Sequence, residues 1–270
     1  MTDRLRLRIS PCPNDTFMFE ALLNGRIPTQ GLAFEVGFQD IEELNEGVSS
    51  PDGPDISKIS YAVLPAVVDR YALLDSGSAL GRGNGQLLVR RRGDRSPIRR
   101  VAIPGELTTA NAMLLRFFPS IVDRTPVLFS EIAAAVERGA FDAGVLIHEG
   151  RFTYERHNLE LVADLGALWE QQTGLPLGGI VASRELLAEV RRTFDRVLHD
   201  SIAYALEHPT VSRPFVREHA RELDDEVIDR HIALFVNRYS LALGEEGRRA
   251  VRELTGLPDL RLGWEPLHGS

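Results

Sequence analysis

Histidines are the side chains best suited to acid–base chemistry near neutral pH, and one of the seven in this chain stands apart from the others. His148 ends the apolar segment AGVLI and is followed by EGRFTY. In an α/β protein, a side chain at the carboxyl end of a central strand points toward the ligand cleft, where a neutral imidazole can act as a general base. The alternative is a structural histidine that ends a strand. The other six match no metal-binding motif such as HExxH, so we predict no metal site: His157, His199, His208, His219, His231 and His268.

Small polar residues gather at four segments where predicted strands meet loops or helix starts. A helix start exposes N–H groups that lack a partner within the helix, and its dipole favours negative charge. Several such starts in one α/β chain predict a binding site for a carboxylate or a phosphate. The alternative for each segment taken alone is ordinary helix capping. The residues are Asn14, Asp15 and Thr16 ahead of a helix expected from Phe17, then Asn45, then Ser57, Lys58 and Ser60, and finally Thr108 and Thr109 ahead of a helix expected over 110–118.

Two further residues could take part in chemistry because of their type. Lys58 is the only lysine among 31 basic residues, the others being arginine. It is either a remnant of a bias toward arginine or a position that needs a compact ammonium group where a planar guanidinium does not fit. Cys12 could be a nucleophile activated at a helix start. Because no spacing links it to a histidine, we favour a small, partly buried residue in a turn.

Length and composition predict a globular chain of about two domains. The 270 residues exceed the roughly 150 typical of one domain. Hydrophobic residues make up 43% and charged residues 26%, both near the averages for globular proteins. The net charge is -8, and the arginines form no basic face of the kind that phosphate backbones require. We therefore expect neither nucleic acid nor an anionic membrane as a partner.

The sequence also bears on the location of the protein. A single cysteine permits no internal disulfide, and the N-terminal segment MTDRLRLRIS lacks the apolar core of a signal peptide. No apolar stretch approaches the roughly 20 residues that a membrane helix needs. We expect a cytoplasmic protein without stable membrane association.

The predicted elements divide the chain into an alternating part and a helical part. Short apolar strands alternate with helical segments up to about residue 184, which predicts parallel strands joined by right-handed crossovers. From there the chain is expected to be wholly helical. We predict an α/β protein of two lobes with a cleft between them, one lobe comprising residues 1–92 and 185–270 and the other 93–184. The chain would cross between lobes near 90–96 and 180–185, and the ligand would bind in the cleft at the carboxyl ends of the strands.

Several strings, taken in order, resemble a known family. SPCPNDTFMFEALLNG, SKISY, SALGRG, TTA, GVLIHEGRFTY and DLGALWEQQTGLP are similar to segments of the 1,4-dihydroxy-6-naphthoate synthases of the futalosine route to menaquinone. The resemblance extends over roughly residues 5–255. It implies a two-lobed fold of the periplasmic-binding-protein type (type II) and a lyase without a cofactor. Such a lyase converts cyclic dehypoxanthine futalosine into 1,4-dihydroxy-6-naphthoate and releases a three-carbon fragment.

The resemblance also implies roles for individual residues. The catalytic base of the family falls on His148, and a polar cleft position falls on Asn45. Relatives usually continue TGLP with another Pro-Leu pair, whereas this chain reads TGLPLGG over 173–179, so contacts from that loop carry over less directly. The substrate contacts that the family implies are Lys58, Ile59, Ser60, Thr109 and Ala110, with Thr173 as a further candidate.

Two alternatives share the expected architecture. A non-catalytic binding protein for small carboxylates would carry an export signal or a lipid-anchor cysteine near its N-terminus, and neither is visible here. A chorismate dehydratase of the same pathway is a second alternative, which the IHEGRFTY segment disfavours. The lyase and both alternatives imply a small anionic molecule as the partner.

Overall fold

The computed structural model describes residues 4–83, 85–169, 174–220, 223–260 and 262–263. Two β-sheets with helices packed against them confirm the predicted α/β class. The strands are β1 (Leu5–Ile9), β2 (Phe34–Phe38), β3 (Ile56–Ser60), β4 (Tyr71–Leu73), β5 (Ala79–Gly81), β6 (Leu87–Arg91), β7 (Arg100–Ile103), β8 (Asp123–Pro126), β9 (Ala143–Leu146), β10 (Leu159–Asp164) and β11 (Leu175–Ser183).

Up to β11 the helices are interspersed among the strands, with β4 to β7 following one another, and after β11 the helices follow one another. This arrangement confirms the predicted helical C-terminal segment, which comprises α8 to α12. The helices are α1 (Pro13–Leu23), α2 (Ile41–Ser49), α3 (Leu64–Val67), α4 (Thr109–Phe117), α5 (Phe129–Glu137), α6 (Gly150–Thr153), α7 (Leu165–Trp169), α8 (Ala188–Glu207), α9 (Pro209–His219), α10 (Asp225–Phe235), α11 (Arg238–Leu241) and α12 (Gly244–Thr255). Two short 3₁₀ turns lie at Tyr61–Val63 and Tyr154–His157.

The strands form two separate mixed sheets. Sheet 1 has the order β2-β1-β3-β11-β4, with β5 also paired to β11, and sheet 2 has the order β10-β6-β9-β7-β8. We name lobe 1 the part of the protein built on sheet 1 and lobe 2 the part built on sheet 2. Both faces of each sheet are covered by apolar side chains, so each lobe has its own core.

The expectation of parallel strands is right for part of each sheet and wrong for the strands that enter from the other lobe. β1 runs parallel to β2 and β3, and β7 runs parallel to β8 and β9. β11 is antiparallel to β3, and β6 is antiparallel to β9. Because β6 and β11 each begin beside the cleft and run away from it, they oppose strands whose carboxyl ends reach the cleft.

Strand pairing also differs from the predicted lobe boundaries. β6 falls within the predicted range 1–92 of lobe 1 but pairs in sheet 2, and β11 falls within the predicted range 93–184 of lobe 2 but pairs in sheet 1. The chain therefore changes sheets between β5 and β6 and again between β10 and β11, about ten residues before the predicted crossovers. Hydrophobic patterning does not reveal which sheet a strand joins, since both sheets accept the same apolar residues.

Two helix starts show how prolines set local structure. The first helix begins at Pro13, with Cys12 as its N-cap, and not at Phe17 as expected. Proline is favoured at the first helical position because its φ is already helical and its missing N–H would have no partner there. Asn14 and Asp15 consequently lie in the first turn and not ahead of it. Pro65 likewise lies at the start of α3, after the 3₁₀ turn, as expected from the hydrogen bond it would cost inside a helix.

Candidate active site

The cleft between the two lobes brings together most of the residues singled out in the sequence. Its walls are formed by the carboxyl ends of β1, β3 and β9, by the start of α4 and by part of α10. Asn45 lies behind this wall, and Thr173 lies outside the described residues. The candidates that line the cleft are Lys58, Ile59, Ser60, Thr109, Ala110 and His148.

His148 lies in the turn that follows β9, on the wall of lobe 2. Its φ of 52° is in the left-handed region, which turns the side chain out of the strand direction. Burial lowers its pKa to about 4, while the nearby Asp15 carboxylate acts to raise it and the Lys58 ammonium to lower it. The edge of Phe129 contacts the ring, with centroids 5.1 Å apart. At neutral pH the imidazole is therefore uncharged and able to accept a proton.

Lys58 and Asp15 form a buried ion pair in the opposite wall. The Nζ of Lys58 lies 3.0 Å from Oδ1 of Asp15. The Asp15 carboxylate also accepts bonds from the Nδ2 of Asn14 at 2.8 Å and from the hydroxyl of Ser10 at 2.8 Å. Because the carboxylate cancels the charge of the ammonium, Lys58 does not present a free positive charge to the cleft.

Asn45 orients the end of β3 from behind the wall. This asparagine is fully buried in α2. Its Oδ1 accepts the backbone N–H of Ser60 at 2.8 Å, and its Nδ2 donates to the hydroxyl of Ser60 at 3.1 Å. Asn45 therefore acts on the cleft through Ser60, which its two hydrogen bonds hold in place.

The start of α4 supplies the helix terminus that the sequence predicted at the cleft. Thr108 is the N-cap, and its side chain accepts the N–H of Asn111 at 3.2 Å. Thr109 is the first helical residue, and its hydroxyl donates to the carbonyl of Leu177 at 2.8 Å. The backbone N–H groups of Thr109 and Ala110 have no acceptor within the helix. They lie at the N-terminal, positive end of the helix dipole, which faces the cleft. This end of α4 is suited to a carboxylate.

Besides the bond from Thr109 to Leu177 of β11, a glutamate of lobe 1 joins the two lobes beside this helix start. Glu42 of α2 belongs to lobe 1, and its Oε1 accepts the N–H of Leu107, in the loop between β7 and α4 of lobe 2, at 3.0 Å. A Cβ on Gly105 would lie 2.3 Å from the Glu42 carboxylate, so glycine permits the close approach. Burial raises the pKa of Glu42, which the hydrogen bond from Leu107 opposes. We call the hydrogen bond from Leu107 to Glu42 the cross-lobe hydrogen bond.

The sequence did not single out His231, which belongs to lobe 1 and faces the ring of His148. It is fully buried on the inner face of α10, among Val227, Ile228 and Phe235. The signal in the sequence was a histidine within an apolar stripe at helical spacing, a pattern that is usually structural. Only the packing of α10 against the cleft distinguishes it.

Cys12 has the environment of a structural residue and not of a nucleophile. The side chain is buried at the N-cap of α1. Burial raises the pKa of the thiol well above its usual value, and the nearby Glu149 carboxylate raises it further. Because only the thiolate is an effective nucleophile, the unreactive alternative is favoured.

The two sheets, the crossing segments and a ligand cleft at the strand ends define a class, the two-lobed periplasmic-binding-protein fold. Solved structures of other proteins share this fold. A protein from Archaeoglobus fulgidus has a TM-score of 0.86 at 32% identity, covering 93% of this chain and 95% of that one. The alkanesulfonate-binding protein of Xanthomonas axonopodis pv. citri, bound to MOPS, has a TM-score of 0.66 at 13% identity, covering 86% and 84%, and shows the fold alone.

The sequence comparisons identify the family. Residues 5–258 match the family model described as menaquinone biosynthesis, so the chain belongs to that family. Two proteins named 1,4-dihydroxy-6-naphthoate synthase are each 45% identical to it. The protein of Thermus thermophilus is matched over 93% of both chains, and the protein of Streptomyces coelicolor over 93% of this chain and 92% of its own. The resemblance noted in the sequence is confirmed.

Proposed function

We propose that this protein is a 1,4-dihydroxy-6-naphthoate synthase, a carbon–carbon lyase that acts on cyclic dehypoxanthine futalosine. The observation that carries the proposal is the 45% identity to two proteins of that name over 93% of this chain. The cleft contains a histidine that can accept a proton, and hydroxyl groups and a helix start that can bind an anionic substrate.

His148 is the proposed general base. Its lowered pKa keeps the imidazole unprotonated at neutral pH, so the proton-accepting form is fully populated. Abstraction of a substrate proton would start carbon–carbon cleavage and aromatisation. N–H groups directed at a developing oxyanion would stabilise the transition state, and one such donor is typically worth about 3 kcal/mol.

The proposed binding contacts lie on both lobes. The start of α4, at Thr109 and Ala110, would hold the aromatic carboxylate of the substrate through its free amides and its dipole. Ser60 and the adjoining residues of β3 would contact the sugar-derived hydroxyl groups. Because the chain carries a net charge of -8 and Lys58 is paired with Asp15, we propose that this helix start is the main local attraction for the anion.

The protein is also proposed to act in the cytoplasm, as expected for a biosynthetic enzyme. Among the described residues, none of the helices is both long enough and apolar enough to span a bilayer.

A product assay by mass tests the proposal directly. Purified protein is incubated separately with cyclic dehypoxanthine futalosine and with chorismate. We expect 1,4-dihydroxy-6-naphthoate from the first substrate and no change in the second. Loss of water from chorismate would favour the dehydratase, and tight binding of either compound without turnover would favour a binding protein.

A further inference from the structure

His231 is a fully buried histidine with a hydrogen bond to Asn14. Its Nε2 lies 3.0 Å from Oδ1 of Asn14. The Nδ2 of Asn14 donates to Oδ1 of Asp15 at 2.8 Å, so Oδ1 of Asn14 is the acceptor for His231. The bond therefore places a hydrogen on Nε2 of His231, and burial, which lowers the pKa of the ring well below its usual value, favours the neutral form.

The ring of His231 lies almost parallel to the ring of His148. The centroids are 5.9 Å apart, and the planes differ by 14°. This separation lies within the range of offset aromatic stacking. Phe129 contacts the same His148 ring with a centroid distance of 5.1 Å and an interplanar angle of 67°. The imidazole of His148 thus has one aromatic neighbour from each lobe.

The helix that carries His231 also contacts the segment that follows His148. Arg230 of α10 lies over the ring of Phe152, 4.6 Å from its centroid. Asp224, the N-cap of α10, pairs with Arg156 at 2.8 Å. These contacts dock α10 of lobe 1 on the segment of lobe 2 that carries His148, so the ring contact belongs to a wider interface between the lobes.

We propose that His231 is a positioning residue for His148: its ring, fixed in place by Asn14, holds the imidazole of His148 in its orientation across the contact between the lobes. The inference rests on the proposed role of His148 as the base. The charged groups that face the histidine pair are Asp15 on α1 and Lys58 on β3, and they form an ion pair with each other.

Two variants separate the ring of His231 from its hydrogen bond. His231→Gln places an amide nitrogen near the position of Nε2 and keeps a donor for Asn14, but it removes the ring. His231→Phe keeps a flat ring beside His148 and removes the donor. His208→Ala is a matched control, because His208 is an exposed histidine stacked on Tyr204 on the helical side of lobe 1.

The readouts are kcat, KM and the pKa of His148. The pKa is obtained from ¹H–¹⁵N NMR titration of histidine-labelled protein without substrate, with the His148 signal identified by its absence in His148→Asn. We expect His231→Gln to lower kcat by tenfold or more with KM changed less than about threefold, because misplacement of a catalytic group acts mainly on the chemical step. The same variant should raise the pKa of His148 from about 4 toward 6.5, since removal of the ring admits water.

His231→Phe should keep that low pKa and lose less of kcat than His231→Gln, because the ring remains beside His148 although Asn14 no longer fixes it, and it serves as the test if His231→Gln does not fold. The proposal is overturned by wild-type kcat in His231→Gln, with or without a pKa change, or by equal losses in both variants at an unchanged pKa. Failure of the base assignment would look different. His148→Asn would then turn over normally, while the NMR titrations would still report whether His231 shields His148.

Discussion

The single lysine of the chain, Lys58, donates from its Nζ to Oδ1 of Asp15 at 3.0 Å, and both side chains are almost wholly buried. The ammonium group reaches this carboxylate from the centre of β3, between strands, where Gly178 lies against its Cε. The pair therefore gives the single lysine of the chain a structural role in the wall of the cleft.

Removing one partner of this ion pair should destabilise the protein strongly. Lys58→Met leaves the buried Asp15 charge without its counterion, which costs about 3–5 kcal/mol in comparable buried pairs. Urea unfolding monitored by circular dichroism measures the change. Combining Lys58→Met with Asp15→Asn should restore part of the loss. Arg238→Met breaks an exposed ion pair with Glu246 and should change stability little. A Lys58→Met protein as stable as the wild type would contradict a buried ion pair between Lys58 and Asp15.

Replacement of His148 by asparagine should lower turnover by about 10²–10⁴ while substrate affinity is largely kept. Asparagine is a suitable substitute because it tolerates the left-handed φ of 52° at this position. Steady-state kinetics and calorimetric binding measure the two effects separately. Turnover near the wild-type level would exclude His148 as the base.

The stability of the protein should fall below pH 6.5 partly because of His148. Burial lowers the pKa of this residue in the folded state to about 4, whereas the unfolded chain titrates near 6.5. The contribution is thus fully present above 6.5 and is lost as the pH falls toward 4. Asp195 has the opposite effect on stability. Burial raises its pKa to about 6, so the folded state takes up a proton at a higher pH than the unfolded chain, and this stabilises the protein as the pH falls.

The contribution of His148 is isolated by comparing two proteins at two pH values. Urea unfolding of the wild type and of His148→Asn at pH 7.5 and pH 5 gives the loss of stability in each. We expect the wild type to lose more, since Asp195 contributes equally to both. Equal losses would contradict a His148 that is neutral in the folded protein.

Loss of the cross-lobe hydrogen bond should weaken closure on the substrate. Glu42→Ala removes the acceptor for the N–H of Leu107, and a hydrogen bond of about 1 kcal/mol corresponds to a roughly fivefold increase in KM. Glu42→Gln keeps an acceptor oxygen and should remain close to the wild type. Kinetics give KM, and small-angle X-ray scattering reports whether Glu42→Ala is more open. An unchanged KM in Glu42→Ala would show that this bond does not assist closure.

Cys12 should be unreactive in the folded protein. Burial raises the pKa of its thiol, so at pH 8 the thiolate is scarce and also inaccessible. Ellman's reagent should detect no thiol in native protein and one thiol in 6 M guanidinium chloride. Rapid labelling under native conditions would contradict the buried position.

Local patterning in the sequence was sufficient for most helices and for the family. The alternation of apolar residues in LRLRI is typical of a strand and matches β1, and the three-to-four-residue spacing of apolar residues after residue 184 is typical of an amphipathic helix and matches α8. The strings around His148 and Lys58 led to the family because they are specific in order and in type. These features depend on neighbouring residues, which a sequence displays directly.

Tertiary structure decided the features that depend on distant residues. The pairing of β6 with β9 and of β11 with β3 determines which lobe each strand joins, and equal hydrophobicity of the two sheets leaves no local trace of that choice. The partner of Lys58 is 43 residues away, and the hydrogen bond from His231 to Asn14 spans 217 residues. Long-range contacts of this kind arise only when the chain has folded, so the sequence could place His148 at the end of its strand, but only the fold could place His231 against its ring.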